Sequence, residues 1–430
     1  MKDILENTRD ICEISESVKA CSISPVLREN GMITLSEEFI PEKPLYRDKH
    51  ILELGRMIKE LLELKITGTI FLEGPPGTGK TMCFRVAKSI LESLISSGKL
   101  HGRIVYVKGR EKTVGQIMYE ILREIGAPVY KKISFGEAIS ILEDFSSEGP
   151  IHICVDEVDL VRSYVSGRYR SPTVEDILYY FSRTKNISAT IITNDFRFIE
   201  KLTDGRVRSS ITKDRTILFE KYSFEQLENI IRYRVSLAFR EGAVTEKAIE
   251  KLSKIVYETT GDIRQALEIL RYAAILCAKD NIKIVDEDLI NSANVLRNTE
   301  EMINKIMTLS NTHRAILASY YLRFRETDKK ELTASEMYSS YVTLADEAGF
   351  EALDLNSFRT KIMDLVTVGL LELVRVGKGR GKGVDRLYIL TIPFETLHRA
   401  VMDDPVFSAG VKSILNRIME GRKRNMFSIQ

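Results

Sequence analysis

Cysteine and histidine are scarce in this sequence, five of each among 430 residues. The cysteines (Cys12, Cys21, Cys83, Cys154 and Cys277) are dispersed and form no CxxC pair. That excludes a disulfide framework and a zinc knuckle, and points to buried thiols in a reducing compartment. The histidines are equally scattered, so no metal cluster is visible. No run of 18 apolar residues occurs, and the opening MKDILENTRDICEISESVK carries charges where a signal peptide has an apolar core. The expectation is a cytoplasmic chain that does not cross a membrane. A dominant charge is also missing. Lys and Arg number 63 against 61 Asp and Glu, a net charge of +2, so any basic surface must be local. No internal repeat or long low-complexity tract is present.

What is there suffices for several cores. Hydrophobic residues make up 44% of the chain, and at roughly 100–200 residues per domain the length suggests a small set of domains. Residues 1–38 are polar and weakly periodic, which predicts a mobile arm. "FIPEKPLYRDKHI" carries two prolines and should be extended. From Asp48 to Leu64 the apolar residues Ile51, Leu54, Ile58, Leu61 and Leu62 fall at helical spacing. The runs "TIFLE", "RIVYVK", "IHICVDE", "ISATIIT" and "TILFE" then alternate with helical stretches. Continuous apolar, β-branched runs separated by helices predict a parallel sheet covered on both faces. After Glu220 only helical patterns remain to about residue 298. The last region shows three helical stretches, "LLELVRV", a glycine-rich strip and "RLYILTI", the order of a winged helix-turn-helix. The fold class is therefore α/β, a P-loop parallel-sheet core with an all-α lid and a C-terminal winged helix. The boundaries fall at 1–38, 39–220, 221–298 and 299–430.

The strongest chemical signal is "GPPGTGKT" (Gly74, Pro75, Pro76, Gly77, Thr78, Gly79, Lys80, Thr81), which follows a strand and opens a helix. Glycines let the backbone wrap phosphates, and the amides of the loop and helix start point at them. Lys80 should reach the β- and γ-phosphates, and Thr81 should ligate Mg2+. "IHICVDEVD" ends a strand in acids. Asp156 would hold Mg2+ through water, and Glu157 would polarise an attacking water. Asn194, at the tip of "IITND", can orient that water or touch the γ-phosphate, or simply be a turn residue. Arg206 and Arg208 in "DGRVRSSI" suit a finger aimed at a neighbour's nucleotide and suit solvent equally well. Arg264 in "GDIRQAL" can reach the γ-phosphate from the lid.

These pieces in this order resemble an AAA+ ATPase, and more closely the archaeal origin-recognition initiators. "FIPEKPLYRDKHI" resembles the segment leading into that family's first helix. "FEKYSFEQLENIIRYR" and "TTGDIRQALEILRYAA" resemble its run into the lid and its second sensor. The likeness spans roughly residues 38 to 400. It implies that Tyr222 and Arg234 contact nucleotide at the lid junction. It also implies a DNA-touching helical insertion over "LVRSYVSGRYRSPTVEDILYYFSR", with Arg162, Arg168 and Arg170. This stretch is Gly/Ser-interrupted, so its first half reads as loop.

In the third domain, "INKIMTLSNTHRAILASYYLRFR" reads as a first helix. "TASEMYSSYVTLADEAG" reads as a second, capped by Thr333 or Ser335. A third begins at a capping Asn356 or Ser357. That third helix would present Ser357, Arg359 and Lys361 to the major groove, with Phe358, Ile362 and Leu365 inward. The strip "RVGKGRGKGVDRL" then becomes a wing. Its Lys378, Arg380 and Lys382 would meet phosphate or the minor groove, although winged helices also serve as protein-interaction modules. The resemblance implies an ATP- and Mg2+-dependent initiator that binds double-stranded origin DNA and helps recruit the replicative helicase. It would be a weak ATPase acting as a slow switch, cytoplasmic and nucleoid-associated. The alternatives are an AAA+ protein of transcription regulation or of protein remodelling. Neither the oligomeric state nor the action of Arg206 in trans is fixed by the residues.

Overall fold

Five apolar runs pair side by side into one parallel sheet in the computed structural model, which describes residues 24–130, 133–162, 165–166, 169–210, 215–377 and 384–427. The strands are β1 (Gly68–Glu73), β2 (Arg103–Lys108), β3 (Ile151–Asp156), β4 (Ile187–Thr193) and β5 (Thr216–Leu218), in the order β2-β3-β4-β1-β5. Every residue of β3 and β4 is buried. The reason is that helices cover both faces, as parallel connections require. On one face α1 (Asp48–Leu64) and α2 (Lys80–Ser96) bury Leu54, Ile58, Phe84 and Leu91. On the other, α3 (Val114–Glu124), α4 (Phe135–Glu148) and α5 (Val174–Phe181) bury Ile117, Ile121, Leu142 and Phe181. All five strands run the same way, so their C-terminal ends share one edge. The loops that carry the chemistry emerge there.

Beyond the sheet, a short helix α6 (Gly205–Ser210) precedes β5. The helices α7 (Phe224–Ala238), α8 (Glu246–Thr259) and α9 (Ile263–Asp280) follow it. These last three enclose their own core around Ile231, Leu252, Ile269 and Leu270. Residues 24–38 differ from the expected mobile arm. Val26, Leu27 and Leu35 are buried in that same core, and the Arg28 amide donates to Ala238 O at 2.9 Å. Three apolar side chains at irregular spacing give no periodic signal, yet they suffice to dock a turn. The region after β3 also departs from the helix implied by resemblance. Val165–Ser166 pairs antiparallel with Tyr169–Arg170 before α5 begins. Arg162 bridges to Thr113, while Arg168 lies outside the described residues.

The chain divides into two compact units, Met1–Ala293 and Asn294–Gln430. In the second, the stretch expected as one first helix is broken. One helix, α10 (Glu287–Met307), ends inside that stretch, and Ser310 caps a new helix, α11 (Asn311–Thr327). α12 (Ala334–Ala348) starts on a capping box in which Thr333 and Glu336 bond each other's backbone. α13 (Leu355–Thr367) is capped by Asp354, which accepts from the amides of Asn356 and Ser357, the residues expected to cap it. Asp354 is the last extended residue before the helix, where a side chain can reach those amides, whereas Asn356 and Ser357 already lie in the first turn. β6 (Glu331–Thr333), β7 (Leu371–Gly377) and β8 (Val384–Leu390) form an antiparallel sheet in the order β6-β8-β7. α14 (Phe394–Met402) and α15 (Ser408–Phe427) close the unit over Tyr320, Tyr341, Phe358 and Leu365.

Candidate nucleotide site

The loop between β1 and α2 lies at the C-terminal edge of the sheet. Gly79 is the N-cap of α2 with φ 92°, and Gly77 has φ 73°. Only glycine adopts such angles without strain. Gly77 has a second reason to lack a side chain: a Cβ there would stand 2.0 Å from Asp262 Oδ1. The Thr78 hydroxyl donates to Pro75 O at 2.9 Å and braces the rear of the loop. Lys80 is buried, and its ammonium donates to Gly74 O (2.6 Å), Pro75 O (2.8 Å) and Asn194 Oδ1 (2.9 Å). Burial lowers its pKa to about 8. The ammonium, the free amides of the first turn of α2 and the glycine backbone together make a cradle for an anion.

Across the cleft stands the end of β3. Asp156 is buried, and its Oδ2 accepts from the Thr81 hydroxyl at 2.8 Å and the Tyr106 hydroxyl at 2.7 Å. Burial, with Asp156 next in importance, raises the Tyr106 pKa, so this hydroxyl stays protonated and donates. Asp156 Oδ1 is buried with no partner among the described residues. A buried carboxylate oxygen left open beside a threonine hydroxyl suits a hard divalent cation, which takes oxygen ligands and bound water. Glu157 follows in the left-handed region, φ 54°, a costly conformation for a residue with a side chain. Its carboxylate is 3.9 Å from Arg110 Nη1. Thr81, Asp156, Glu157, Lys80 and Asn194 all line one cleft.

The lid closes the cleft from the other side. Asp262 caps α9, and Arg264 grips it with bonds of 2.6 to 3.1 Å. Those bonds, more than any other influence, raise the Arg264 pKa. Tyr222 is buried and packs beneath the loop, its hydroxyl 3.0 Å from where a Cβ on Gly79 would stand. Arg234 is buried too. It donates to Ser36 O (3.0 Å) and Phe39 O (3.3 Å) and lies 5.0 Å from the Phe39 ring centre. Its Nε has no partner among the described residues, and burial lowers its pKa to about 10. Phe39, Pro44, Leu45, Ile230, Ile263 and Leu267 give this end of the cleft an apolar wall. An anion cradle at one end and an apolar, aromatic-edged slot at the other fit a nucleotide.

Sequence reasoning missed part of this. Arg47 is buried under the loop, donating from Nε to Thr78 O (2.9 Å) and from Nη2 to Glu220 O (2.8 Å). Its only signal was an arginine at the start of α1. Tyr106 gave none beyond an aromatic in a strand, and the wall from Phe39 to Leu45 read as an extended, proline-bearing segment resembling the family's lead into its first helix, with no nucleotide contact assigned to it.

Arg206 does not line the cleft. It sits exposed on α6, paired with Asp204 at 2.8 Å and 5.5 Å from the Tyr179 ring centre, and Arg208 is exposed on the same helix. In the second unit Phe358, Ile362 and Leu365 face inward, while Ser357 and Arg359 are exposed. Lys361 is half-buried and bonded to Asp364 at 3.0 Å. Lys378, Arg380 and Lys382 lie outside the described residues. At the wing base, Arg375 and Arg386 are exposed and stand directly opposite in the β7–β8 register.

Family models match most of the chain in three blocks: an AAA domain over residues 65–199, a Cdc6 AAA+ ATPase-type lid domain over 228–295, and a Cdc6 C-terminal winged helix domain over 304–400. The chain is 26% identical to an ORC1-type DNA replication protein of Methanosphaera stadtmanae, covering 86% of this chain and 94% of that one. It is 27% identical to ORC1-type DNA replication protein 1 of Sulfurisphaera tokodaii, covering 91% and 96%. Among solved structures, the ORC1 protein of Aeropyrum pernix in complex with DNA superposes with TM-score 0.71 at 25% identity, over 89% of this chain and 98% of that one. The Cdc6p structure of Pyrobaculum aerophilum shares the fold, with TM-score 0.53 at 18% identity. With an AAA domain, a Cdc6-type lid and a Cdc6-type winged helix in succession, the chain belongs to the archaeal ORC1/Cdc6 family of origin-recognition proteins.

Proposed function

We propose that this chain is an ATP-dependent replication initiator that binds double-stranded origin DNA and helps recruit the replicative helicase. The observation that carries the reading is one cleft that joins an anion cradle, an open buried carboxylate oxygen and a lid arginine, in a chain that also holds a winged helix. ATP would lie with its base against the Phe39–Leu45 wall and Tyr222, and its phosphates against the loop from Gly74 to Thr81. Thr81 and Asp156 would hold Mg2+, which neutralises phosphate charge when bound. Glu157 would accept a proton from water, and Asn194 would orient that water. Lys80 would exchange its bonds to loop carbonyls for bonds to phosphate. Arg264, gripped by Asp262, would carry the phosphate state into the lid. Turnover is slow in this reading, so the nucleotide serves as a switch. Arg206, exposed on α6, would serve a neighbouring molecule's nucleotide if the chain assembles.

DNA would meet the second unit through Ser357, Arg359 and Lys361 on α13 and through Lys378, Arg380 and Lys382 in the wing. Like charges directly opposite in an antiparallel pair destabilise it. The Arg375–Arg386 pair therefore favours a polyanion beside the wing. The proposed parts are a core at 39–220, a lid at 221–298 and a DNA-binding domain at 299–430, in a cytoplasmic, nucleoid-associated protein. The test is footprinting on DNA flanking the chain's own gene, with ATP at physiological salt. The wild type is compared with a variant carrying Lys378→Ala, Arg380→Ala and Lys382→Ala. A discrete footprint that weakens in the variant is expected. Nucleotide binding without protection of any genomic fragment would reject the initiator reading.

A further inference from the structure

Tyr106 stands beside Cys154 in the parallel β2–β3 register, two residues before Asp156. Side chains two apart on a strand share a face. The tyrosine therefore reaches diagonally forward, and its hydroxyl donates to Asp156 Oδ2 at 2.7 Å. The Thr81 hydroxyl donates to the same oxygen at 2.8 Å. Two donors converging on Oδ2 fix the rotation of the carboxylate. They leave Oδ1 buried and open, with no partner among the described residues. With Tyr106 gone, one donor would remain and the carboxylate could turn.

The tyrosine is itself held in place by the helix that follows the phosphate loop. Its ring centre is 5.9 Å from that of Phe84, and the Arg85 guanidinium lies over its ring at 5.1 Å. Phe84 and Arg85 belong to α2, whose first residues are Lys80 and Thr81. One helix thus supplies Thr81 to the carboxylate and also clamps the ring that supplies the second donor.

We propose that Tyr106 is a positioning residue of the divalent-cation site, orienting Asp156 so that Oδ1 faces the cation or a water bound to it. This rests on the nucleotide-binding reading above. Carboxylates at metal sites are commonly held by such outer hydrogen bonds, and losing one costs about 10- to 100-fold in metal affinity.

The test is Tyr106→Phe in the full chain, which keeps the ring against Phe84 and Arg85 and removes only the hydroxyl. A fluorescent ATP analogue is bound at increasing Mg2+ and also in EDTA, and thermal melting in EDTA checks the fold. The Mg2+ half-saturation is expected to rise about 10-fold or more, with affinity in EDTA unchanged and melting in EDTA still a single cooperative transition, its midpoint lowered by no more than the loss of one hydrogen bond explains. Direct titration of Mn2+ by electron paramagnetic resonance should show the same loss. An unchanged Mg2+ half-saturation in the variant, or an equal loss with and without Mg2+, would overturn the role of Tyr106 alone. A wild type that binds no nucleotide under either condition would overturn the nucleotide reading as well.

Discussion

The guanidinium carbon of Arg47 stands 4.1 Å from the centre of the Tyr222 ring. The same side chain bonds the carbonyls of Thr78 in the phosphate loop and Glu220 after β5. One buried cation therefore ties together the start of α1, the loop and the entry to the lid. Arg47→Ala would remove its hydrogen bonds to the buried Thr78 carbonyl and to the Glu220 carbonyl, together with the contact to the Tyr222 ring. The expected loss is about 2–4 kcal/mol of stability, measured by chemical denaturation. Lys at this position keeps the charge but not the planar fork, so Arg47→Lys should recover only part of it.

Gly77 faces Asp262, the residue that caps α9 and grips Arg264. A Cβ at Gly77 would stand 2.7 Å from the Asp262 Cα, so backbone must move. Gly77→Ala should weaken nucleotide binding by about 10-fold or more and cost about 1–3 kcal/mol of stability. Calorimetric titration beside thermal melting separates the two effects.

Lys80 offers a pH signature. Its pKa is lowered to about 8 by burial, and the protonated form is the one that attracts phosphate. Above about pH 8 the charged fraction in the free protein falls roughly tenfold per unit. Nucleotide affinity should therefore be flat below about pH 8 and decline by up to roughly tenfold per unit above it. A titration of affinity from pH 7 to 9.5 that stays flat throughout would contradict the buried, weakened ammonium.

His152 should contribute to the loss of stability in acid. It is fully buried between Ser188 Oγ (2.9 Å) and Thr190 Oγ1 (2.8 Å), and burial lowers its pKa from 6.5 to about 3. Between those values the unfolded chain binds a proton that the folded chain refuses. The stability from this neutral imidazole is thus complete above pH 6.5 and lost as pH falls toward 3. The expected slope is on the order of 1 kcal/mol per pH unit. His152→Leu should flatten that slope in urea titrations between pH 6 and 4. At neutral pH it should cost about 1–3 kcal/mol, because two buried hydroxyls lose their partner.

Asp404 organises the end of the second unit. Its carboxylate is almost wholly buried, accepts from the amides of Val406 (2.8 Å) and Phe407 (3.1 Å), and pairs with Arg314 at 3.1 Å. Asp404→Ala would take the carboxylate partner from the mostly buried Arg314 and leave the amides of Val406 and Phe407, in the turn before α15, without their acceptor. A loss of about 3–5 kcal/mol is expected in denaturant melts of the full chain. Arg314→Met with Asp404→Ala should recover part of it.

Much of this molecule was legible because its signals are local. A strand buried on both faces is mostly apolar, with buried polar groups such as His152, Ser188 and Thr190 bonded to one another, so β1 to β5 could be read off as runs. A loop that wraps phosphate needs glycines and a lysine at fixed spacing, so Gly74 to Thr81 stood out. Helix faces repeat, so Phe358, Ile362 and Leu365 could be assigned inward. Local patterns failed where residues far apart in sequence meet. Asp354 outcompeted Asn356 and Ser357 as a cap because geometry at the turn, not composition, selects the acceptor. Residues 24–38 docked on the lid because a partner surface around Phe239 exists only after folding.

The sequence by itself determined the order of parts, the phosphate loop and the acids after β3, because each of these is enforced by the chemistry of a few neighbouring residues. Tertiary structure alone decided that Arg47 lies under Tyr222, that Tyr106 holds Asp156, and that Asp262 closes against Gly77. The physical reason is that hydrogen bonds and ring contacts depend on distances of a few ångströms between elements. Those distances are set by how the sheet and lid pack, and no spacing along the chain encodes them.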